Sequence, residues 1–143
     1  MSTVKIYNGQ YQNSHDQSYS FDGKHLYEGR YTVRHQIKYT WDGKYLYEGE
    51  YNNKYVIVCM FDGKHLYRGQ YEDRSKVEFT VKGKYIYKGF GYDDSDIIFN
   101  YDGKFLYSGR YTNRYDIVMN TDVAIPPIVM LFIKLRPSKS LPW

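Results

Sequence analysis

Apolar and polar residues alternate in short runs along this chain, and the runs recur every 20 residues, six times, with no insertion or deletion. The second half of each unit shows the pattern best. Ile37, Tyr39 and Trp41 fall on one side of an extended strand, with Lys38 and Thr40 on the other. The same positions hold Ile57, Cys59 and Phe61, then Val77, Phe79 and Val81, then Ile97, Phe99 and Tyr101. Period-two alternation predicts half-buried antiparallel strands whose polar face, carrying Thr40, Glu78 and Thr80, meets solvent. Val58 and Met60 depart from it.

Glycines mark the beat. Gly9, Gly29, Gly49, Gly69, Gly89 and Gly109 each stand two residues after a tyrosine: Tyr7, Tyr27, Tyr47, Tyr67, Tyr87 and Tyr107. A fixed period of this length means a stack or ring of one supersecondary unit. Asp22-Gly23, Asp42-Gly43, Asp62-Gly63 and Asp102-Gly103 lie between apolar-rich runs, where Asp-Gly is the strongest short-range hairpin signal. Lys82-Gly83 keeps the glycine that permits positive φ. Each unit thus reads as a strand such as Lys44 to Glu48, a loop near Asn52-Asn53-Lys54 and a strand such as Tyr55 to Met60, leaving no room for helices.

Two registers are open for the first strand, and they send the tyrosines to opposite faces. With Asp42-Gly43 as a two-residue type I′ turn, Trp41 pairs with Lys44 and Tyr39 with Leu46. Ile6, Leu26, Leu46, Leu66, Ile86 and Leu106 then join the core, and the tyrosines form an outer ladder. A type I turn with a glycine bulge instead pairs Thr40 with Lys44 and Ile37 with Tyr47, which puts tyrosine inside and leucine out. The first is preferred, because six aliphatic residues are harder to explain at an exposed register than six tyrosines.

The predicted fold is an all-β antiparallel meander of six hairpin repeats over residues 1–122. A sheet of about eleven or twelve strands must roll to bury its apolar face, and a barrel, a ring and a hairpin solenoid all satisfy that requirement. Residues 123–143 form a separate segment, apolar and then basic. Val123 to Ile133 is the most apolar stretch, but 11 residues with two prolines fall short of the roughly 20 that span a bilayer. It is expected to dock on or inside the repeat body. Membrane contact through residues 123–135, or self-association, is the competing reading.

Composition adds limits. Of 143 residues 19 are tyrosine, so aromatic rings must supply much of the buried area. Lys134, Arg136 and Lys139 follow the last acidic residue, Asp122, and without them the repeats hold 17 basic residues against 16 acidic. A nearly neutral body argues against nucleic acid, whose binding rests on phosphate neutralisation. Cys59 stands alone, which excludes an intrachain disulfide and a cysteine metal cluster. No apolar run follows Met1-Ser2-Thr3-Val4-Lys5, so the expected location is cytoplasmic.

Tyr47-Glu48-Gly49-Glu50-Tyr51-Asn52-Asn53-Lys54 resembles the opening half of a MORN repeat, as do Leu66 to Tyr71 and Leu106 to Tyr111. That likeness implies scaffold and phospholipid-binding roles, although the Gly-x-Gly of the second MORN strand is missing. The aromatic-rich hairpin is also similar in plan to bacterial choline-binding repeats, whose tryptophan cages are not matched by Trp41 and Trp143. Asp-Gly-Lys-x-(Leu/Ile)-Tyr-x-Gly, followed by a polar loop and Asp-Ile as at Asp96-Ile97 and Asp116-Ile117, most closely resembles small bacterial tandem-repeat proteins of unknown function with an apolar C-terminal end.

Candidate chemistry is sparse, and no catalytic residue, metal ligand set or cofactor is expected. His25 and His65 lie two repeats apart, about 20 Å along a meander, and read as surface equivalents of Tyr45, Tyr85 and Phe105. His15 beside Asp16 has no nucleophile in a recognisable elbow. One aspartate per Asp-Gly-Lys turn falls far short of the roughly six to eight oxygens calcium needs. Two surfaces remain. The tyrosine ladder (Tyr27, Tyr47, Tyr67, Tyr87, Tyr107) beside Lys24, Lys44 and Lys64 presents flat faces that could stack on a ligand, or serves only as cross-strand packing. Arg34, Lys54, Arg74 and Arg114 form a basic loop register, interrupted by Ser14 and Asp94. The expectation is a non-enzymatic binding or structural module whose partner is a protein, a glycan or a second copy, the alternatives being a lectin and a self-assembling protein that uses edge strands or the C-terminal segment.

Overall fold

A computed structural model describes residues 3–123. Twelve strands follow in chain order: β1 (Val4–Asn8), β2 (Gln17–Phe21), β3 (His25–Glu28), β4 (Ile37–Trp41), β5 (Tyr45–Glu48), β6 (Ile57–Phe61), β7 (His65–Arg68), β8 (Val77–Lys82), β9 (Tyr85–Lys88), β10 (Ile97–Tyr101), β11 (Phe105–Ser108) and β12 (Ile117–Thr121). Each pairs antiparallel with its chain neighbours, and β1 pairs with β12, so the sheet closes into a barrel. Of barrel, ring and solenoid, the first is realised. Closure leaves no free sheet edge among the described residues, which removes the edge strands once considered for self-assembly.

The tight turn lies one residue later than Asp-Gly predicts. Gly43 takes φ +100° at the first turn position, and Lys44 fills the second. Asp42 becomes the flanking residue: its N–H donates to the Tyr45 carbonyl at 3.2 Å, and its Oδ1 accepts the N–H groups of Lys44 and Tyr45 at 2.9 and 2.7 Å. Trp41 therefore pairs with Leu46 and Thr40 with Tyr47, rather than Trp41 with Lys44 and Tyr39 with Leu46. The slide keeps the parity, so leucine still shares a face with Trp41. Leu26, Leu46, Leu66 and Leu106, with Ile6 and Ile86, pack into one core cluster with Cys59, Phe99 and Met119.

A bulge on the other side of each first strand changes the second strand. Leu46 pairs with Cys59, yet Tyr47 pairs with Ile57, so Val58 is the extra residue. Ile57 therefore turns to the tyrosine face, and Val58 packs against the leucine-side core. The same shift occurs in β4, β10 and β12. Grouping Ile37 with Tyr39 and Trp41 fails for this reason: strict alternation does not survive a bulge.

The opposite face is also buried, contrary to the solvent pattern expected there. Thr40 and Thr80 are fully enclosed, as are Ser20, Asn100 and Asn120 in the same register. Each donates a side-chain hydrogen bond to the carbonyl of the glycine that opens the following loop: Ser20 to Gly29, Thr40 to Gly49, Thr80 to Gly89, Asn100 to Gly109 and Asn120 to Gly9, at 2.7 to 2.9 Å. These bonds draw the loops across the tyrosine face. The loops are themselves exposed, so this is the outer face and the leucine cluster lines the inner one. Each loop ends in a single 3₁₀ turn, such as Lys54–Val56, whose second residue donates its N–H to the side chain of Asn53, Asp73, Asp93 or Asn113 where these occur.

The sixth hairpin has no covalent turn. Asp122 stands where Asp42 stands in its own unit: its N–H donates to the Lys5 carbonyl at 3.2 Å, and its Oδ1 accepts the Lys5 N–H at 2.9 Å. The two ends of the repeat region thus rebuild the same turn chemistry across 117 residues of separation. The C-terminal segment expected to dock on the body lies outside the described residues from 124 onward, and Val123 before it is exposed.

Replacing Thr40 by Val keeps the volume but removes the bond to Gly49 and leaves a buried carbonyl short of a donor. Urea denaturation should show a loss of about 1–3 kcal/mol; an unchanged midpoint would mean that these side chains do not hold the loops.

Candidate functional site

The register tyrosines do not form an outer ladder. Tyr27, Tyr47, Tyr67, Tyr87 and Tyr107 lie on the loop-covered face and are at most 7% exposed. Four hydroxyls donate to the turn aspartates: Tyr27 to Asp22, Tyr47 to Asp42, Tyr67 to Asp62 and Tyr107 to Asp102, at 2.7 to 2.9 Å. Each ring also meets the aromatic residue two positions earlier, with centroids 6.0 to 6.3 Å apart, as for Tyr45 and Tyr47. Sequence parity places these rings opposite leucine but cannot show that loops fold over them. Lys24, Lys44 and Lys64 remain exposed and share no open surface with these tyrosines. Lys44 lies over the Tyr45 ring at 5.2 Å, Lys64 over Tyr92.

The exposed aromatic surface sits four residues further along. Tyr11, Tyr31, Tyr51, Tyr71 and Tyr111 occupy one loop register and are each more than 60% exposed. The Gly-x-Tyr spacing was the available signal, since these tyrosines follow a glycine at positive φ and so leave the strand. Arg30 and Arg110 lie over Tyr31 and Tyr111 at 5.4 Å. Arg34 crosses to the next loop, donating to Glu50 at 2.8 Å and to the Tyr51 hydroxyl at 2.7 Å.

Clefts open beside these rings. One of about 640 Å³ lies between two loops and is lined by Ser14, His15, Gln17, Glu28, Arg30, Tyr31, Val33, His35 and Gln36. One of about 370 Å³ crosses the closure seam at Gln10, Tyr11, Asp16, Arg114 and Tyr115, and one of about 300 Å³ is lined by Arg68, Gln70, Tyr71, Asp73 and Lys76. Each offers at least one tyrosine ring with amide, carboxylate or guanidinium groups at its edge.

His15 and His35 share the cleft of about 640 Å³, a proximity their separate loops did not announce. His15 approaches Asp16 at 3.8 Å. His25 and His65 instead join the tyrosine face, their Nδ1 atoms 3.1 and 3.0 Å from the Thr40 and Thr80 hydroxyls. Those hydroxyls donate onward to glycine carbonyls, so each must accept from a protonated Nδ1. His65 is buried rather than a surface residue, and burial pushes its pKa down, with Lys64 adding to the shift and Asp62 opposing it. Among the described residues no three His, Cys, Asp or Glu side chains gather in a metal-binding group. The basic loop register is engaged too: Lys54, Arg74 and Arg114 lie over Tyr55, Phe90 and Tyr115.

A closed barrel of six hairpins, each roofed by its own loop and displaying an aromatic ring, defines a structural repeat module. Residues 6–132 match the family described as 6-fold beta flower protein, and the chain belongs to that family. Comparison with curated proteins and with solved structures gives no match.

Burial works against ionising Asp42, but the N–H of Tyr45, the Tyr47 hydroxyl and the N–H of Lys44 outweigh it and hold the carboxyl below its usual range; Asp22, Asp62 and Asp102 behave alike. Burial, then the aspartate bond, pushes Tyr27, Tyr47, Tyr67 and Tyr107 up to about 12. A lowered carboxyl pKa stabilises the fold above roughly pH 4, and that contribution is lost as pH falls through the folded values. A raised phenol pKa stabilises it below roughly pH 10, and the contribution is lost between about 10 and 12. Circular dichroism with tyrosinate absorbance should show unfolding in both windows; ionisation of these four near pH 10 with the fold intact would contradict the pairing.

Proposed function

We propose that this protein is a non-enzymatic, multivalent binding module whose loop tyrosines take the sugar rings of a glycan. The observation that carries the reading is the contrast between two tyrosine registers. Tyr47 and its equivalents are enclosed, whereas Tyr11, Tyr31, Tyr51, Tyr71 and Tyr111 stay in solvent at the same position of five of the six loops. The core does not need those rings where they stand. Flat aromatic faces favour the apolar face of a sugar, and the glutamines and arginines at the cleft edges suit its hydroxyl groups. A repeat body with 17 basic and 16 acidic residues fits a neutral ligand better than a polyanion.

Open clefts of this size hold single sugars weakly. Several copies on one rigid ring raise the effective concentration for a branched or repeating ligand, by about 10²- to 10⁴-fold when geometry permits simultaneous contact. Glycan-array binding followed by calorimetry tests the reading. The triple change Tyr11→Ala, Tyr31→Ala, Tyr71→Ala, which removes the register tyrosine of each cleft, should abolish array binding while leaving the denaturation midpoint close to wild type; wild-type array binding by that variant would refute the proposal.

A further inference from the structure

The fifth unit breaks the repeat at several positions that meet in space. Lys82 replaces the turn aspartate found as Asp22, Asp42, Asp62, Asp102 and Asp122. Gly91 replaces the exposed loop tyrosine and takes φ +127°, a conformation closed to other residues at ordinary cost. Phe90 thereby stacks on His65, with centroids 4.7 Å apart and planes 19° from parallel, and Tyr92 stands where other loops carry Gln12, Thr32, Asn52, Glu72 or Thr112.

Cations gather around these two rings. The Lys64 and Lys82 ammonium groups lie 4.6 and 4.5 Å from the Tyr92 centroid, and the Arg74 guanidinium lies 4.2 Å from that of Phe90. Lys64 is diverted to reach this place, since Lys44, Lys84 and Lys104 cover the ring next to them in sequence. None of the four ion pairs among the described residues includes Lys64, Lys82 or Arg74. Three carboxylates of this region are committed to local turns, Asp62 to the N–H groups of Lys64 and His65 and the Tyr67 hydroxyl, and Asp73 and Asp93 to Ser75 and Ser95, while Glu72 lies with Lys44 and Asp62 at the neighbouring turn. Asp94 faces Tyr87.

Two ammonium groups sharing one aromatic ring repel each other, and the ring quadrupole only partly compensates. An anion between them removes the repulsion and gains charge-assisted hydrogen bonds. We propose that this corner is a second, unique binding site, taking a phosphate or sulfate ester through Lys64 and Lys82, with Arg74 beside it and the half-exposed Tyr92 against the group that carries the ester. It is separate from the loop tyrosines and does not depend on them, because its own loop lacks one.

Nuclear magnetic resonance titration of the full chain with glucose 6-phosphate, glucose 6-sulfate and glucose tests the site. One or both esters should perturb amides near Lys64, Lys82 and Tyr92 saturably, with glucose leaving them unmoved; the preferred ester identifies the anion. Lys82→Asp restores the aspartate of the other turns and should fold, while weakening ester binding roughly tenfold or more. Lys64→Gln should act in the same direction, with Lys82→Gln as the variant that removes charge without adding one. The loop triple variant Tyr11→Ala, Tyr31→Ala, Tyr71→Ala should keep ester binding, so the two proposals fail independently. No saturable shift by millimolar ester, shifts spread evenly over all turns as for an adventitious ion, or wild-type affinity in the Lys82 and Lys64 variants would overturn the proposal.

Discussion

The barrel depends on one carboxylate used in three directions. Asp42 Oδ1 accepts two turn N–H groups, Oδ2 accepts the Tyr47 hydroxyl, and the backbone N–H of the same residue reaches across to Tyr45. The first two bonds set where the hairpin turns, and hence which residues oppose each other. The third ties the turn to a buried ring on the outer face. Asp22, Asp62 and Asp102 repeat the arrangement. Asp122 repeats the turn contacts with Lys5 and so converts a linear meander into a closed ring. Charge-assisted bonds of this kind are shorter and stronger than neutral ones, which suits a joint that no covalent turn supports.

Two cores result, separated by the sheet. Inside, leucine and isoleucine from six units meet in one cluster; outside, tyrosine rings pair with aromatic neighbours beneath the loops. The outer layer is polar, and Thr40 and its equivalents donate to glycine carbonyls there, although the buried Oδ1 atoms of Asn100 and Asn120 find no donor. Met60 is the register-mate that cannot make this bond, and it is enclosed as an apolar residue instead. Covering the outer face with loops also moves the exposed aromatics onto those loops, where a ligand can reach them.

Symmetry divides the functional question. What all units share is architecture; the loop tyrosines, carried by five of the six loops and not enclosed by the core, are what the proposed multivalent reading rests on. What one unit alone carries is a candidate for a single ligand. Lys82 lies ten residues before Tyr92 in sequence, yet its ammonium group meets the Tyr92 ring, and Gly91 at positive φ shapes the loop that carries that ring.

The 20-residue beat, the Asp-Gly turns and the parity of leucine with Trp41 were sufficient to read an all-β hairpin repeat, because local turn chemistry and period-two alternation act within a few residues. The exact turn position was not legible there, since it rests on a side-chain oxygen replacing a backbone acceptor. Nor was the bulge at Val58, where a single extra residue moves Ile57 to the other face. Tyr47 and Tyr51 look equivalent in sequence, two residues to either side of Gly49; only the loop that Thr40 holds down makes one a core residue and leaves the other in solvent. Closure between Lys5 and Asp122 likewise depends on the sheet curving fully round, a property of all twelve strands together rather than of any one repeat.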